Sequence, residues 1–121
     1  MAKILVIEDE TLVSQTVEVL LMKAGHVVTT APDGVKGVAA YQAENPDLVI
    51  TDIIMPNTEG IETIIALRRT HPALKVIAMS GGGRMKPEGY LEVAKQFGAV
   101  HVFSKPFNTK EFFAAIEDAL G

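Results

Sequence analysis

Apolar runs alternate with amphipathic stretches along the whole chain. Runs rich in Val, Ile and Leu that are bounded by turn residues are typical of strands buried on both faces. Five such runs predict strands at residues 4–7, 27–30, 48–52, 74–80 and 99–103. Helical spacing of apolar positions predicts a helix after each strand: one after Glu10, one opening at Pro32-Asp33-Gly34, one capped at Asn57 or Thr58, one over 87–97, and one after Asn108.

The same spacing predicts which face of each helix is buried. The predicted buried positions are Val13, Val17, Leu20, Leu21 and Ala24 in the first helix, Val35, Val38 and Ala39 with Gln42 as a further candidate in the second, Ile61, Ile64, Ile65 and Leu67 in the third, and Phe112, Phe113, Ile116, Ala119 and Leu120 in the last. Gly25 and Gly98 follow apolar stretches at the position that commonly ends a helix.

Strand–helix alternation with short connections predicts right-handed βαβ units and a parallel sheet covered by helices on both faces. We therefore expect an α/β, flavodoxin-like doubly wound fold with five strands in the order 2-1-3-4-5 and a switch point between strands 1 and 3. The 121 residues fit one domain, over 1–121.

Composition removes several classes of function. The chain has no cysteine, which excludes disulfides, thiolate metal sites and a cysteine nucleophile. The N-terminus runs directly into a strand, and no apolar run approaches the ~20 residues of a membrane span. We therefore expect a cytoplasmic protein that does not bind membranes. The net charge of -4 argues against direct nucleic-acid binding, which favours a basic face. A partner-binding module and a small enzyme both remain compatible.

Polar residues follow four of the five predicted strands. Glu8 and Asp9 end the first strand, Asp52 the third and Ser80 the fourth, while Lys105 follows the fifth. Carboxyl ends of parallel strands meet at one edge, where ligands bind beside the switch point. We therefore expect three carboxylates, a hydroxyl and an ammonium group to converge in one crevice.

Carboxylates that lie close together cannot all remain ionised without a cation. Hard oxygen ligands suit Mg²⁺, which takes one or two carboxylates together with waters and phosphate oxygens. Lys105 and Ser80 could each contact a phosphate oxygen. Such an arrangement favours phosphoryl transfer, in which the protein mainly positions and neutralises charge and a carboxylate can itself be the nucleophile.

The chain resembles a response-regulator receiver domain of two-component signalling, of the chemotaxis-Y type. The resemblance covers essentially all 121 residues. The matching segments are Glu8-Asp9, Asp52-Ile53-Ile54-Met55-Pro56 with Gly60, Ser80, and Lys105-Pro106-Phe107. No single segment identifies the family, but the four segments together, at this spacing and on these strands, are very specific for it.

The resemblance implies a role for each site residue. Asp52 would accept a phosphoryl group from a histidine kinase or a histidine phosphotransfer protein. Asp9 and Asp52, with the backbone carbonyl of Ile54, would bind Mg²⁺ directly, and Glu8 would act through water. Lys105 would pair with the acyl phosphate, and the Lys105-Pro106 bond would be cis.

The resemblance also implies how the signal is transmitted. Ser80 would move towards the phosphoryl group and change the surface formed by the fourth predicted helix, the fifth strand and the last helix. That surface would bind a downstream protein target or effector domain. The protein would be a monomer or a weak homodimer through the fourth and last helices, and would not be an enzyme acting on an external substrate.

Each site residue also has an ordinary structural interpretation. Taken alone, Asp52 is typical of a cap or turn, Glu8-Asp9 of a helix cap, Ser80 of a turn and Lys105 of a solvated surface. Their convergence on one sheet edge favours the functional interpretation.

Two other functions remain open. One is a small Mg²⁺-dependent phosphohydrolase, against which the chain has no acid two residues beyond Asp52 and no cap domain. The other is a receiver-fold interaction module that works without phosphorylation. Val102 favours this module, because it stands where the family usually has Tyr or Phe, and a β-branched side chain is stiff at χ1. Val102 is also an ordinary residue for the core of a strand.

Two positions that can orient an attacking water carry no suitable side chain. Ile54 lies two residues beyond Asp52, and Gly82 lies two residues beyond Ser80. We therefore predict slow self-hydrolysis of the aspartyl phosphate, with Ile54→Asn and Gly82→Glu each shortening its lifetime. The lifetime is measured by following the intact mass of the phosphorylated protein against time as the phosphoryl group is lost. An unchanged lifetime in either variant would contradict the prediction.

Overall fold

The computed structural model describes residues 2–52, 59–81, 101–105 and 109–121. Side chains at 59–61, 80–81 and 101–105 are not described. The elements in chain order are β1 (Lys3–Ile7), α1 (Thr11–Lys23), β2 (Val27–Ala31), α2 (Gly34–Glu44), β3 (Leu48–Asp52), α3 (Glu59–Thr70), β4 (Val76–Gly81), β5 (His101–Lys105) and a C-terminal helix (Thr109–Leu120).

All five strands form one parallel sheet in the order β2-β1-β3-β4-β5, as the sequence predicted. The first strand lies inside the sheet because the chain crosses over it between β2 and β3. Ile4 of β1 pairs with Val28 of β2 on one side and with Leu48 of β3 on the other. The switch point therefore lies between β1 and β3, as expected.

Successive side chains of each strand point to opposite faces, and each face has its own core. One core places Leu5, Ile7 and Val49 against α2 and α3. The other places Ile4, Val6 and Ile50 against α1 and the C-terminal helix. The prediction of helices on both faces is thus confirmed for the helices that the structure describes, while the predicted helix over 87–97 lies outside the described residues.

Helix ends follow the signals in the sequence. The Asp33 carboxylate accepts a hydrogen bond of 2.8 Å from the backbone N–H of Lys36 and caps α2. Gly25 follows α1 with a φ of +92°, a conformation that favours glycine because it has no Cβ. α2 ends at Glu44, and its C-cap Asn45 has a φ of +49°, in the left-handed region that asparagine tolerates.

The edge of the sheet where the strands begin is held by reciprocal hydrogen bonds. The backbone N–H of Lys3 donates to the Asp47 carboxylate over 2.9 Å, and the N–H of Asp47 donates to the Lys3 carbonyl over 2.8 Å. Nearby, the Tyr41 ring packs on His71 at 4.5 Å between centroids. Burial raises the pKa of the Tyr41 phenol.

Some predicted faces and boundaries are wrong. Val35 is 79% exposed, and Ala39 and Gln42 are also exposed, whereas Gly37 and Tyr41 face the core. Ala24 is exposed, because α1 ends at Lys23 and Ala24 is its C-cap. The fifth strand continues to Lys105 and does not end at residue 103 as predicted, while residues 99 and 100 lie outside the described residues. Within the described residues, no helix has both the length and the apolarity needed to cross a membrane.

Gly37 explains how α2 is oriented on the sheet. A Cβ at Gly37 would lie 2.6 Å from Cδ1 and 2.9 Å from Cγ1 of Ile7, whose side chain is fully buried. The absence of a side chain therefore lets α2 approach β1 closely. A scale based on hydrophobicity assigns glycine no packing role, which is why the sequence pattern placed Val35 on the buried face.

We predict that Gly37→Ala destabilises the fold, although alanine favours helices more than glycine does. Overpacking a core costs about 1–3 kcal/mol, which exceeds the roughly 1 kcal/mol of helix propensity gained. Urea unfolding measures the net change. Ala39→Gly on the exposed face of α2 is the matched control, and should lose only the propensity term.

The double variant Ile7→Val with Gly37→Ala tests the cause. Valine lacks Cδ1, the atom nearest to the added Cβ, so part of the cost should be recovered. Additive effects of the two substitutions would contradict the proposed contact.

Candidate functional site

Glu8 and Asp52 lie next to each other because their strands are parallel and in register. Ile4 pairs with Leu48 and Ile7 pairs with Thr51, so residue 8 follows β1 beside the last residue of β3. Both residues continue the alternation that places Val6 and Ile50 on the α1 face of the sheet. The strand register therefore directs both carboxylates to the same face at the carboxyl edge.

Glu8, Asp9 and Asp52 bring one carboxylate oxygen each to within 4.8 Å of one another. Glu8 is only 2% exposed and Asp52 only 3%, whereas Asp9 is exposed. The prediction that these three residues meet is confirmed. Three carboxylates this close repel one another, and a bound cation would offset that repulsion.

Backbone groups hold Glu8 in place. Its N–H donates to the Ala31 carbonyl at the end of β2 over 3.0 Å, which fixes the main chain just beyond β1. Its Oε2 accepts a hydrogen bond of 3.0 Å from the backbone N–H of Glu10, the N-cap of α1. The Glu10 amide could not be predicted from the sequence, because a backbone donor carries no signal in residue type.

The three acids suit a hard divalent cation such as Mg²⁺. Carboxylate oxygens are the ligands this ion prefers, and Mg²⁺ needs few protein ligands because it retains waters. Asp9 is exposed and leaves the cluster open to solvent on one side. A cation there would reduce the repulsion among the carboxylates and leave ligand positions for water or phosphate oxygens.

A groove of about 250 Å³ adjoins the cluster between α1 and the end of β2. Its lining is mainly polar and includes Glu8, Asp9, Thr11, Ser14, Thr30 and Pro32. The acidic cluster is therefore reached from the surface beside the first turn of α1.

The structure places the backbone of the other two predicted site residues at the same edge. Ser80 of β4 pairs with Ser104, and Lys105 of β5 pairs with Gly81. β4 in turn pairs with β3, where Asp52 is opposite Met79. Ser80 and Lys105 thus stand at the ends of the two strands beyond Asp52, while their side-chain positions stay predictions. Ile54, Gly82 and Pro106 lie outside the described residues.

Comparison with known proteins gives one consistent family. The chain matches the response regulator receiver domain family over residues 4–117. It is 32% identical over 117 residues to the probable C4-dicarboxylate response regulator DctR of Bacillus subtilis, covering 95% of this chain and 50% of that protein. It is 32% identical over 125 residues to the DNA-binding dual master transcriptional regulator RpaA of Synechocystis, covering 99% and 49% respectively.

Solved structures agree with this comparison. A receiver domain protein from Clostridium thermocellum has a TM-score of 0.89 at 30% identity, with 99% of this chain and 94% of that chain covered. The chemotaxis protein CheY4 of Vibrio cholerae has a TM-score of 0.87 at 30% identity, with 99% of each chain covered.

The curated relatives are longer proteins, and this chain spans about half of their length. The family match over residues 4–117 nevertheless includes β3, β1 from Ile4 onwards, and all three acids of the cluster. With its sheet order, its acidic cluster at the carboxyl edge and a family match over residues 4–117, the chain belongs to the response regulator receiver domain family.

Proposed function

We propose that the protein is a phosphorylatable signalling switch that accepts a phosphoryl group on Asp52. The observation that carries this proposal is the cluster of Glu8, Asp9 and Asp52 at the carboxyl edge of a receiver-family sheet. Asp52 is the member of the cluster that ends the central strand β3. Its carboxylate is the candidate nucleophile, and the neighbouring acids are candidate metal ligands.

Bound Mg²⁺ would supply charge neutralisation where the phosphoryl oxygens gather. Asp9 and Asp52 would contact the ion directly, together with the Ile54 carbonyl, and Glu8 would act through water. The fit rests on three oxygen donors within 4.8 Å of one another and on the exposure of Asp9.

The proposed transfer is a displacement at phosphorus. One oxygen of the Asp52 carboxylate forms the new P–O bond while the P–N bond of a phosphohistidine breaks. The departing imidazole keeps the electron pair of that bond and takes up a proton. Lys105 would pair with the acyl phosphate, and Ser80 would contact another phosphoryl oxygen.

The acyl phosphate would change the population of two packings of the domain. The surface proposed to respond comprises the helix predicted over 87–97, β5 and the C-terminal helix. A downstream target protein or effector domain would bind this surface, which could also form a weak homodimer. The domain itself would not bind nucleic acid directly.

The family is one of signalling domains, and we propose that this protein is likewise not an enzyme for external substrates. We also propose that it acts in the cytoplasm, where the histidine kinase or phosphotransfer protein would present its phosphohistidine. A phosphorylation-independent module is the main alternative and would not need the metal cluster.

An exposed apolar face of α1 supports a protein donor. Leu12 is 79% exposed, Val19 50% and Met22 59%. Their spacing of seven and three residues places them on one side of the helix. Since α1 begins directly after the acids, a partner on this face would lie beside Asp52.

We predict that Mg²⁺ and acetyl phosphate add one phosphoryl group to the wild-type protein but not to Asp52→Ala. Removal of the nucleophile prevents the new P–O bond from forming. Intact mass measures the addition. Asp118→Ala, which removes an exposed acid from the C-terminal helix, is the matched control and should be modified like wild type.

Two outcomes would contradict the proposed switch. One is modification of Asp52→Ala to the same extent as wild type. The other is no modification of any form by either acetyl phosphate or a phosphohistidine donor, even though Mg²⁺ binds; that outcome would support the phosphorylation-independent module.

We predict that Val19→Glu slows transfer from a phosphohistidine protein at least several-fold, while leaving modification by acetyl phosphate unchanged. A charge on the apolar face would disfavour docking, and a small donor needs no docking surface. Gln42→Glu, on an exposed position of α2, controls for added charge. Equal slowing with both donors would instead indicate damage to the site.

A further inference from the structure

We propose that the backbone amide of Glu10 is a positioning group for the metal site, acting through Glu8. This inference rests on the proposed Mg²⁺-dependent function and assigns a part of the site that belongs to the main chain. The amide would hold the Glu8 carboxylate in the orientation that a cation at the cluster requires.

The Glu10 amide makes a direct hydrogen bond to one carboxylate of the acidic cluster. The Glu10 N–H donates to Glu8 Oε2 over 3.0 Å, and that carboxylate also contributes an oxygen to the cluster with Asp9 and Asp52. Glu10 is the N-cap of α1, with an extended backbone at φ -85° and ψ 114°. The donor is therefore fixed by the start of a helix and not by a mobile side chain.

The chemistry of the cluster gives this hydrogen bond a second role besides satisfying a buried oxygen. Glu8 is 2% exposed, and the repulsion from Asp52 and Asp9 would turn its carboxylate away from them. A bond to the ionised form opposes that rotation and is stronger than a bond between neutral groups. Glu8, acting through water, is itself an outer-shell partner of the ion, and such partners typically contribute about 10–100-fold to affinity.

The same bond connects the site to α1. The Glu10 carbonyl accepts a hydrogen bond from Ser14 N–H over 3.0 Å inside the first turn of that helix. The peptide units on either side of Glu10 thus contact the acidic cluster and the helix. A partner that shifts the start of α1 would alter the orientation of Glu8.

The sharpest experiment replaces the amide at position 10 by an ester. Glu10→Ala with a normal amide is compared with the same variant carrying an ester linkage there, so that the pair differs in the N–H donor. The chain contains no cysteine, so a peptide ending at Lys23 can be ligated to a chain carrying Ala24→Cys. Desulfurisation then restores Ala24 without affecting any other residue.

Two quantities are measured on each protein. Calorimetric titration gives the Kd for Mg²⁺ at a temperature at which both proteins are folded. Urea unfolding in EDTA gives stability without metal. We expect the ester to raise the Mg²⁺ Kd about ten-fold, while Glu10→Ala with its amide binds Mg²⁺ like wild type.

Two outcomes would overturn the inference. An ester protein that is less stable in EDTA but has the same Mg²⁺ Kd would show that the bond only satisfies a buried oxygen. A lower Kd in the ester protein would show that the amide draws Glu8 away from the water through which it acts on the ion.

Glu10→Pro provides a second test by ordinary mutagenesis. Proline removes the N–H and fixes φ near about -65°, close to the -85° at this position. It should also raise the Mg²⁺ Kd relative to Glu10→Ala. A Kd matching that of Glu10→Ala in a folded protein would contradict the inference.

Failure of the proposed function gives a different result. If the protein binds Mg²⁺ but never accepts a phosphoryl group, the difference in Kd between amide and ester still tests the positioning role. If the wild-type protein does not bind Mg²⁺ at all, both proposals are wrong.

Discussion

The carboxylates of Glu8 and Asp52 are almost fully buried beside each other, and the exposed acid Asp9 completes a cluster whose oxygens lie within 4.8 Å. Burying like charges is unfavourable unless something neutralises them. The sheet creates this arrangement through the register of β1 and β3, and the turn into α1 adds a backbone donor. A fold that keeps such a cluster gains a place for a cation and an acceptor carboxylate next to it.

The sheet and the position of the acids could be predicted from the sequence, because the order of the strands in a parallel sheet determines which residues share its carboxyl edge. Continuous apolar runs marked the strands, and their carboxyl ends necessarily share an edge. Asp52 and Glu8 were therefore predicted to meet without knowledge of any side-chain contact. Gly25 and Asp33 likewise carried local signals, a left-handed turn and a side-chain cap, that the structure contains.

The sequence-based predictions were wrong or incomplete where a specific atomic contact, and not the hydrophobicity of a side chain, determines the structure. Val35 is exposed although apolar, because Gly37 approaches Ile7 and turns α2 about its axis. The donor that holds Glu8 was missed since every residue has a backbone N–H. The end of the fifth strand was predicted two residues too early for a related reason, because an apolar run does not reveal that pairing with Ser80 and Gly81 continues through Ser104 and Lys105.

The position of β1 between β2 and β3 has a consequence for synthesis of the chain. The ribosome makes all three acids within the first 52 residues, whereas Ser80 and Lys105 emerge later. Because domains generally fold as units, these early-made acids are brought together in the same step that adds β4 and β5. The cost of burying Glu8 and Asp52 side by side is therefore borne by the folding of the whole sheet, and not by the first half of the chain alone.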